Sequence, residues 1–355
     1  MALALVTLLP KRVSSNPVVN RSRWLMTAGL VLIGIQFLIQ YIGDFRSTDV
    51  TKAIIINIAF FIPCSALMCL SILNLQRQGN LKTIDKWIWA PSWLIAMSLI
   101  ITATMSQNLS DGEKSYQMLL AEIIASTLYG LTQLYYSYLH IKELKRMEKV
   151  LDNYYDRHRD DLLTWMKLNV VFLALMSLLV PVVIFASKWL LTCFGAMLFT
   201  GLFYQWAFFC RYLISSDARY MSEAEENSTK VQNETQENYN KLALSAEMEQ
   251  RIERAVNQWI ANEGYLRKGL TSPDVAKEMK LPRYQFAYWI KKAGYSSYSS
   301  WITTLRINYA KNLIATHPDW SNEAIADHCG ISLSHFQKVF HEQTGMTPAQ
   351  YIHSL

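Results

Sequence analysis

Six apolar runs crowd the first 214 positions of the chain: Trp24 to Ile42, Ala53 to Leu75, Trp87 to Met105, Tyr116 to Leu139, Trp165 to Ala186 and Trp189 to Leu213. Each approaches or exceeds the ~20 residues that a helix needs to cross ~30 Å of hydrocarbon. The third, WIWAPSWLIAMSLIITATM, has no charge on any face, whereas a helix in a soluble core keeps a polar face. Trp24, Trp87, Trp165 and Trp189 stand at run ends, where indole rings favour the headgroup level. The runs predict a bundle of six membrane-spanning helices. Composition agrees: 51% of the 355 residues are apolar and only 17% are charged, while 13 Gly and 9 Pro exclude a collagen-like or Pro/Gly-rich disordered chain.

Basic residues in the connections set the expected orientation, because Lys and Arg are retained on the cytoplasmic side. Counts of four, two, three, one, six and one alternate along the chain from the N-terminus, placing 13 inside against 4 outside. Both termini are therefore expected in the cytoplasm, and the chain is expected to be a multi-pass protein of a bacterial inner membrane. Lys11 and Arg12 follow the apolar opening residues instead of preceding them, which argues against a cleaved signal peptide. Five cysteines, Cys64, Cys69, Cys193, Cys210 and Cys329, lack CxxC spacing and read as buried small apolar residues.

Outside connections of roughly ten residues or fewer are too short for a folded receptor domain. Any signal must be read within the bilayer or through a partner. Ionisable groups at membrane depth are costly and face a bundle interior, which singles out Glu122 in LLAEIIAS and Lys167 in TWMKLNVV as signal or proton sites. Gln36, Gln40, Asn57, Gln133 and Gln205 join them, and interhelical hydrogen bonding is the structural reading of the whole set. Pro63, Pro91 and Pro181 are expected to interrupt three spans. A transporter or channel with a regulatory cytoplasmic domain is the alternative to a sensor or anchor. No HExxH, phosphate-cradling loop or nucleophile elbow occurs, so no catalytic, cofactor-binding or metal site is expected, and His140 and His158 read as solvent-facing.

Residues 215 to 246 carry a net charge of −3 and are rich in Ser, Asn, Glu and Thr, which predicts a polar linker, flexible or partly helical. As a flexible tether it would reach roughly 30 Å. From 247 to 355 apolar residues recur at helical spacing, with no alternating strand pattern. This segment holds an internal near-repeat at an offset of fifty: VAKEMKLPRYQFAYWI from Val275 aligns without a gap on IADHCGISLSHFQKVF from Ile325. Each copy opens on a cap signal, Thr271 or Ser272 and then Ser321, breaks after two turns, and resumes as a helix of about ten residues. Two helix-turn-helix units follow from that pattern, joined by a helix near Ser299 to His317. The fold class is thus all-α, a transmembrane bundle followed by a soluble helical domain.

Helical phase identifies the outward faces. With Phe286, Trp289 and Ile290 inward, Tyr284, Ala287, Tyr288 and Lys291 point away; with Phe336, Val339 and Phe340 inward, Ser334, Gln337, Lys338 and His341 do the same. Arg283 and Leu333 lie at the helix starts, and His335 sits in the first turn of the second reader. Gln and Lys can read base edges in a major groove, and Tyr, Ser and His can contact phosphate or sugar.

Residues 270 to 351 resemble the two-unit DNA-binding domain of AraC-type transcription regulators, through LTSPDVAKEM, LRINYAKNLI, SNEAIADHCGIS, FQKVF and TGMTPAQY. The resemblance implies sequence-specific promoter binding, with base contacts from Tyr284, Ala287, Tyr288, Ser334, Gln337 and Lys338. It makes Arg306 similar to the family's structural linker arginine. The resemblance implies double-stranded promoter DNA as a partner, and the apolar runs imply the lipid bilayer; RNA polymerase, a second copy of the chain and an unidentified ligand or membrane partner are further candidates. The pattern departs from the family at Lys280, where the first turn usually has glycine, and at Ile352. A second turn one residue shorter than usual predicts a late start for the second reader helix.

Overall fold

The computed structural model describes residues 1–7, 16–45, 50–106, 116–156, 160–183, 188–215, 217–237 and 246–354. Several residues used above for orientation or solvent exposure, namely Lys11, Arg12, Arg46, Lys114, Arg157, His158 and Arg159, lie outside this set. Among the described residues every regular element is helical, and the sole strand-like pairing is an isolated antiparallel bridge between Tyr155 and Thr271. The chain divides into two compact units: Met1–Arg146 with Asp161–Ala218, and Met147–Asp160 with Arg219–Leu355.

The first unit contains α1 (Ala2–Thr7), α2 (Pro17–Gly43), α3 (Val50–Gln76), α4 (Thr83–Trp87), α5 (Trp89–Ser106), most of α6 (Tyr116–Asp152), α7 (Asp160–Val183) and α8 (Lys188–Ile214). Asn16 caps α2, its side chain accepting the Val18 and Val19 amides with Pro17 in the first turn. Close approach of α2 and α3 needs a small residue at Gly29, where a β-carbon would press on Met68 and the Cys64 carbonyl. Five helical stretches are long and apolar enough to cross a membrane: Pro17–Gly43, Thr51–Gln76, Thr83–Met105, Leu163–Val180 and Cys193–Ile214. The fourth apolar run does not join them. It forms the first two-thirds of the 37-residue α6, whose Glu122, Gln133 and His140 are too polar for that criterion. Those polar groups are buried, with Gln133 donating to Ser65 Oγ at 2.5 Å and His140 beside Gln76, while Met118, Ala121, Ala125 and Tyr129 of α6 pack with Ile54, Ile58 and Ile62 of α3 and Ala96 and Ile100 of α5.

Several expectations change inside this unit. Among the described residues Pro63 lies well inside α3; Pro91 falls in the first turn of α5, where a missing N–H costs no helical bond, whereas Pro181, in the last turn of α7, withholds an amide that would bond within the helix. Trp165 is buried against Tyr212, its ring centroid 5.4 Å away, whereas Trp24, Trp87 and Trp189 are exposed. His140 is buried, not solvent-facing, with Nδ1 2.7 Å from Gln76 Oε1, because α6 continues past the apolar run and keeps the same inward face. Cys64, Cys69 and Cys329 are buried as expected, but Cys193 is exposed and Cys210 half-buried. Glu122 is fully buried and Lys167 half-buried. Gln36 and Gln40 both donate to the Asn57 amide oxygen, at 2.6 and 2.8 Å, so that part of the polar set bonds helix to helix.

The second unit holds α9 (Asp217–Glu237), α10 (Ala246–Ala261), α11 (Ser272–Glu278), α12 (Arg283–Lys292), α13 (Tyr298–Thr316), α14 (Asn322–His328), α15 (Leu333–Thr344) and α16 (Pro348–Ser354). Residues 217–237 of the polar stretch 215–246 thus form one 21-residue helix. Met221, Ala224 and Asn227 bury one narrow side of α9, while Arg219–Glu223 and Lys230–Glu226 pairs run along it, so a polar composition still hides a packing face.

Two half-cores meet on α13. Trp301 and Ile302 pack with Ile252, Val275, Phe286 and Ile290; Ile307, Ala310 and Ile314 pack with Ile325, Phe336, Val339 and Phe340. The turns repeat at the same offset. Lys280 donates to the Lys277 carbonyl at 3.0 Å and Leu281 to Ala276 at 2.9 Å, as Gly330 donates to Asp327 at 3.0 Å and Ile331 to Ala326 at 2.9 Å. Both turn residues take left-handed backbone, φ 54° at Lys280 and 71° at Gly330. The missing glycine of the first turn is therefore absorbed as strain, not as a different turn. A β-carbon at 330 would also run into the Leu266 carbonyl. In full-length protein in detergent, we expect Lys280→Gly to stabilise the second unit by about 1 kcal/mol and Gly330→Ala to destabilise it by about 2–3 kcal/mol, read by urea-dependent pulse proteolysis.

Candidate nucleic-acid interface

The two reader helices are placed by the same local rules. Ser321 caps α14, its hydroxyl accepting the Ala324 amide at 3.1 Å. Thr271 precedes α11 with its hydroxyl donating to the Asp274 carboxylate instead of capping. Short turns then release α12 at Arg283 and α15 at Leu333, fifty residues apart, so the second reader does not start late. The connecting helix α13 has 19 residues, or roughly 28 Å at 1.5 Å per residue. Its length is close to the ~34 Å between successive major-groove faces.

The readers differ in how open they are. On α15, Leu333, Ser334, Gln337, Lys338 and His341 are exposed and His335 is half-buried, while Phe336, Val339 and Phe340 fill the core. On α12, Lys291 is exposed but Arg283, Tyr284, Ala287 and Tyr288 are half-buried. Neighbouring elements account for this. Asn227 of α9 accepts from Arg283 Nη1 at 3.3 Å, and Gln285, itself buried, donates to the Tyr284 hydroxyl at 3.2 Å. Tyr288 and Lys292 line a hollow with Glu249, Ile252 and Glu253 of α10, and Lys292 pairs with Glu249. Helical phase could not register these covers, since α9 lies in a stretch whose composition reads as solvated.

Arg306 on α13 is 2% exposed. It donates to the Tyr265 carbonyl at 2.8 Å, the Arg267 carbonyl at 2.6 Å and Asp156 Oδ2 at 2.8 Å. The turn it holds is fixed further by Glu278, which accepts from Trp259 and Arg267, and by a Lys268–Asp327 pair. Arg267 beside Glu278 holds that carboxyl below its ordinary value. Leaving either member of a buried pair alone typically costs about 3–5 kcal/mol. Asp156 carries no sequence signal of this role, being 150 positions from its partner.

Residues 315–353 match the family model described as bacterial regulatory helix-turn-helix proteins, AraC family. That segment of the second unit, and not the whole unit, is similar to the AraC-family helix-turn-helix. No curated protein and no solved structure matches the chain. The AraC-type segment covers the end of α13 and all of α14, α15 and α16, and it supports binding of double-stranded DNA. Among the described residues no group of three or more His, Cys, Asp or Glu is arranged to hold a metal ion.

Within the AraC-type turn Cys329 is fully buried, and burial pushes its thiol up to about 12. At pH 8 that leaves about one thiolate in ten thousand. In a variant with the other four cysteines replaced by Ser or Ala, a charged maleimide should leave Cys329 unmodified at pH 8 and label it once urea unfolds the unit; labelling at the same rate with and without urea would contradict the burial.

Proposed function

We propose that this chain is a one-component transcription regulator held in a bacterial inner membrane. Its second unit binds promoter DNA sequence-specifically through two helix-turn-helix units without leaving the membrane. The observation that carries the reading is the doubled unit itself: two turns and two reader helices repeat at an offset of fifty, and the second is the one with the AraC-family match. The exposed set Ser334, Gln337, Lys338 and His341 offers the donors and acceptors that a major groove accepts. The first reader, through Arg283, Tyr284, Ala287, Tyr288 and Lys291, takes the second half-site, and His335 contacts the backbone of the first. RNA polymerase and a second copy of the chain are proposed partners.

Five apolar helices support anchoring, and α6 is the sixth span in this reading. Gln133 of α6 donates to Ser65 of α3 and His140 meets Gln76 of α3, which supports it, because protein neighbours satisfy polar groups that lipid cannot. Six spans and the bias of basic residues put both termini in the cytoplasm, and Glu122 with Lys167 are the proposed intramembrane signal residues. This is a binding protein, not an enzyme, and it uses no cofactor.

Two measurements check it. Gln337→Ala should cost about 1–3 kcal/mol at one base pair and relax specificity there, whereas Lys338→Ala, if it meets phosphate, should weaken all duplexes alike and lower the salt slope by about 1. Protease added to intact spheroplasts should leave the residues beyond 246 uncut; cleavage there would place them in the periplasm and end the proposal.

A further inference from the structure

Arg306 has its counter-charge outside the AraC-type helices. Asp156 belongs to the stretch Met147–Asp160, which connects the fourth and fifth apolar runs and is built into the second unit. It is not resting on a surface. The Asp156 amide donates to the Leu270 carbonyl at 3.1 Å, and the Ser272 amide donates to the Tyr154 carbonyl at 2.8 Å, forming the bridge at Thr271. Tyr155 is buried, packs edge-on against Tyr220 of α9 and donates its hydroxyl to the Tyr220 carbonyl at 3.3 Å. Asp156 and Arg306 side chains are each 3% exposed.

The guanidinium they fix lies where the two helix-turn-helix units converge. Its Nε and Nη2 also hold the turn at Tyr265 and Arg267, next to the first half-core, and a β-carbon at Gly330, in the turn of the second helix-turn-helix, would stand 3.6 Å from its central carbon. One side chain on α13 therefore touches the structures that orient both readers. A carboxylate at a set place locks a forked guanidinium in one orientation, which a neutral acceptor does less strictly.

We propose that Asp156 is a positioning residue for DNA recognition: by orienting Arg306 it sets the relation between the two readers and so the half-site separation that the chain accepts. The proposal rests on the regulator reading above. Two readers bind together only if their separation and twist match successive groove faces, and a mismatch forfeits simultaneous engagement without changing any base contact. Asp156 follows the last residue of α6 by four positions, so the group that governs spacing is contiguous in sequence with the helix that carries Glu122.

The test uses full-length protein in lipid nanodiscs and a duplex that the wild-type chain selects from a randomised pool. Affinity is compared between the selected spacing and the same half-sites moved by two base pairs, and again after a mismatch inside one half-site. In Asp156→Asn the spacing preference should fall by about tenfold while the mismatch penalty stays at its wild-type ratio. Asp156→Glu should recover much of the preference. Should the asparagine variant fail to fold, the double variant Asp156→Asn with Arg306→Gln, which leaves no lone buried charge, takes its place and should also have lost the preference. A wild-type spacing preference in either folded variant overturns the proposal. A wild-type chain that selects no duplex defeats the regulator reading instead.

Discussion

A buried guanidinium must be paid for in hydrogen bonds and opposite charge, and Arg306 collects both from parts of the chain far apart in sequence. Two backbone carbonyls come from the turn before the first helix-turn-helix unit, and the carboxylate comes from Asp156. Each half of the second unit has its own apolar core, with Trp301 at the centre of one and Phe336 and Phe340 in the other. Apolar packing is non-directional, so these cores make each half stable without specifying how one half faces the other. Directional bonds at Arg306, with the Lys268–Asp327 pair nearby, supply that specification.

The first unit obeys a different constraint. In the membrane-anchored reading proposed above, no water satisfies a polar group at that depth, so polar side chains either bond across helices or sit inside the bundle. Gln36, Gln40 and Asn57 take the first course, and Glu122 the second. At one end of the unit Arg77 pairs with Asp85 and, at 2.9 Å, with Glu143, which also receives Arg146 at 2.8 Å. In the sequence Arg77 and Arg146 enter only among the basic residues counted in the connections. Their cluster shows that α6 is held by ion pairs immediately before the stretch that carries Asp156 enters the second unit.

Much of the candidate interface was legible because it depends on short-range periodicity. A repeat of fifty fixes which residues face inward, and the exposed side of α15 follows from the burial of Phe336, Val339 and Phe340. Lys280 shows the limit of motif reading. The turn tolerates a non-glycine residue at positive φ because the hydrogen-bond pattern around it is complete, and no local signal reports that compensation. On α12 the half-burial of Arg283 and Tyr288 was illegible, since their covers come from α9 and α10 and not from their own helix.

From the residues alone came the all-helical class, the apolar runs, the doubled helix-turn-helix and the outward face of α15, all properties of neighbours within a turn or two along one helix. Tertiary structure decided that α6 runs on to Asp152 with a polar but buried face, that part of a polar stretch is a packed helix, and that Asp156 neutralises Arg306. The physical reason is range: helical phase repeats every 3.6 residues and can be read from any window, whereas the partner of a buried charge is whichever group the folded chain brings within a hydrogen bond's reach.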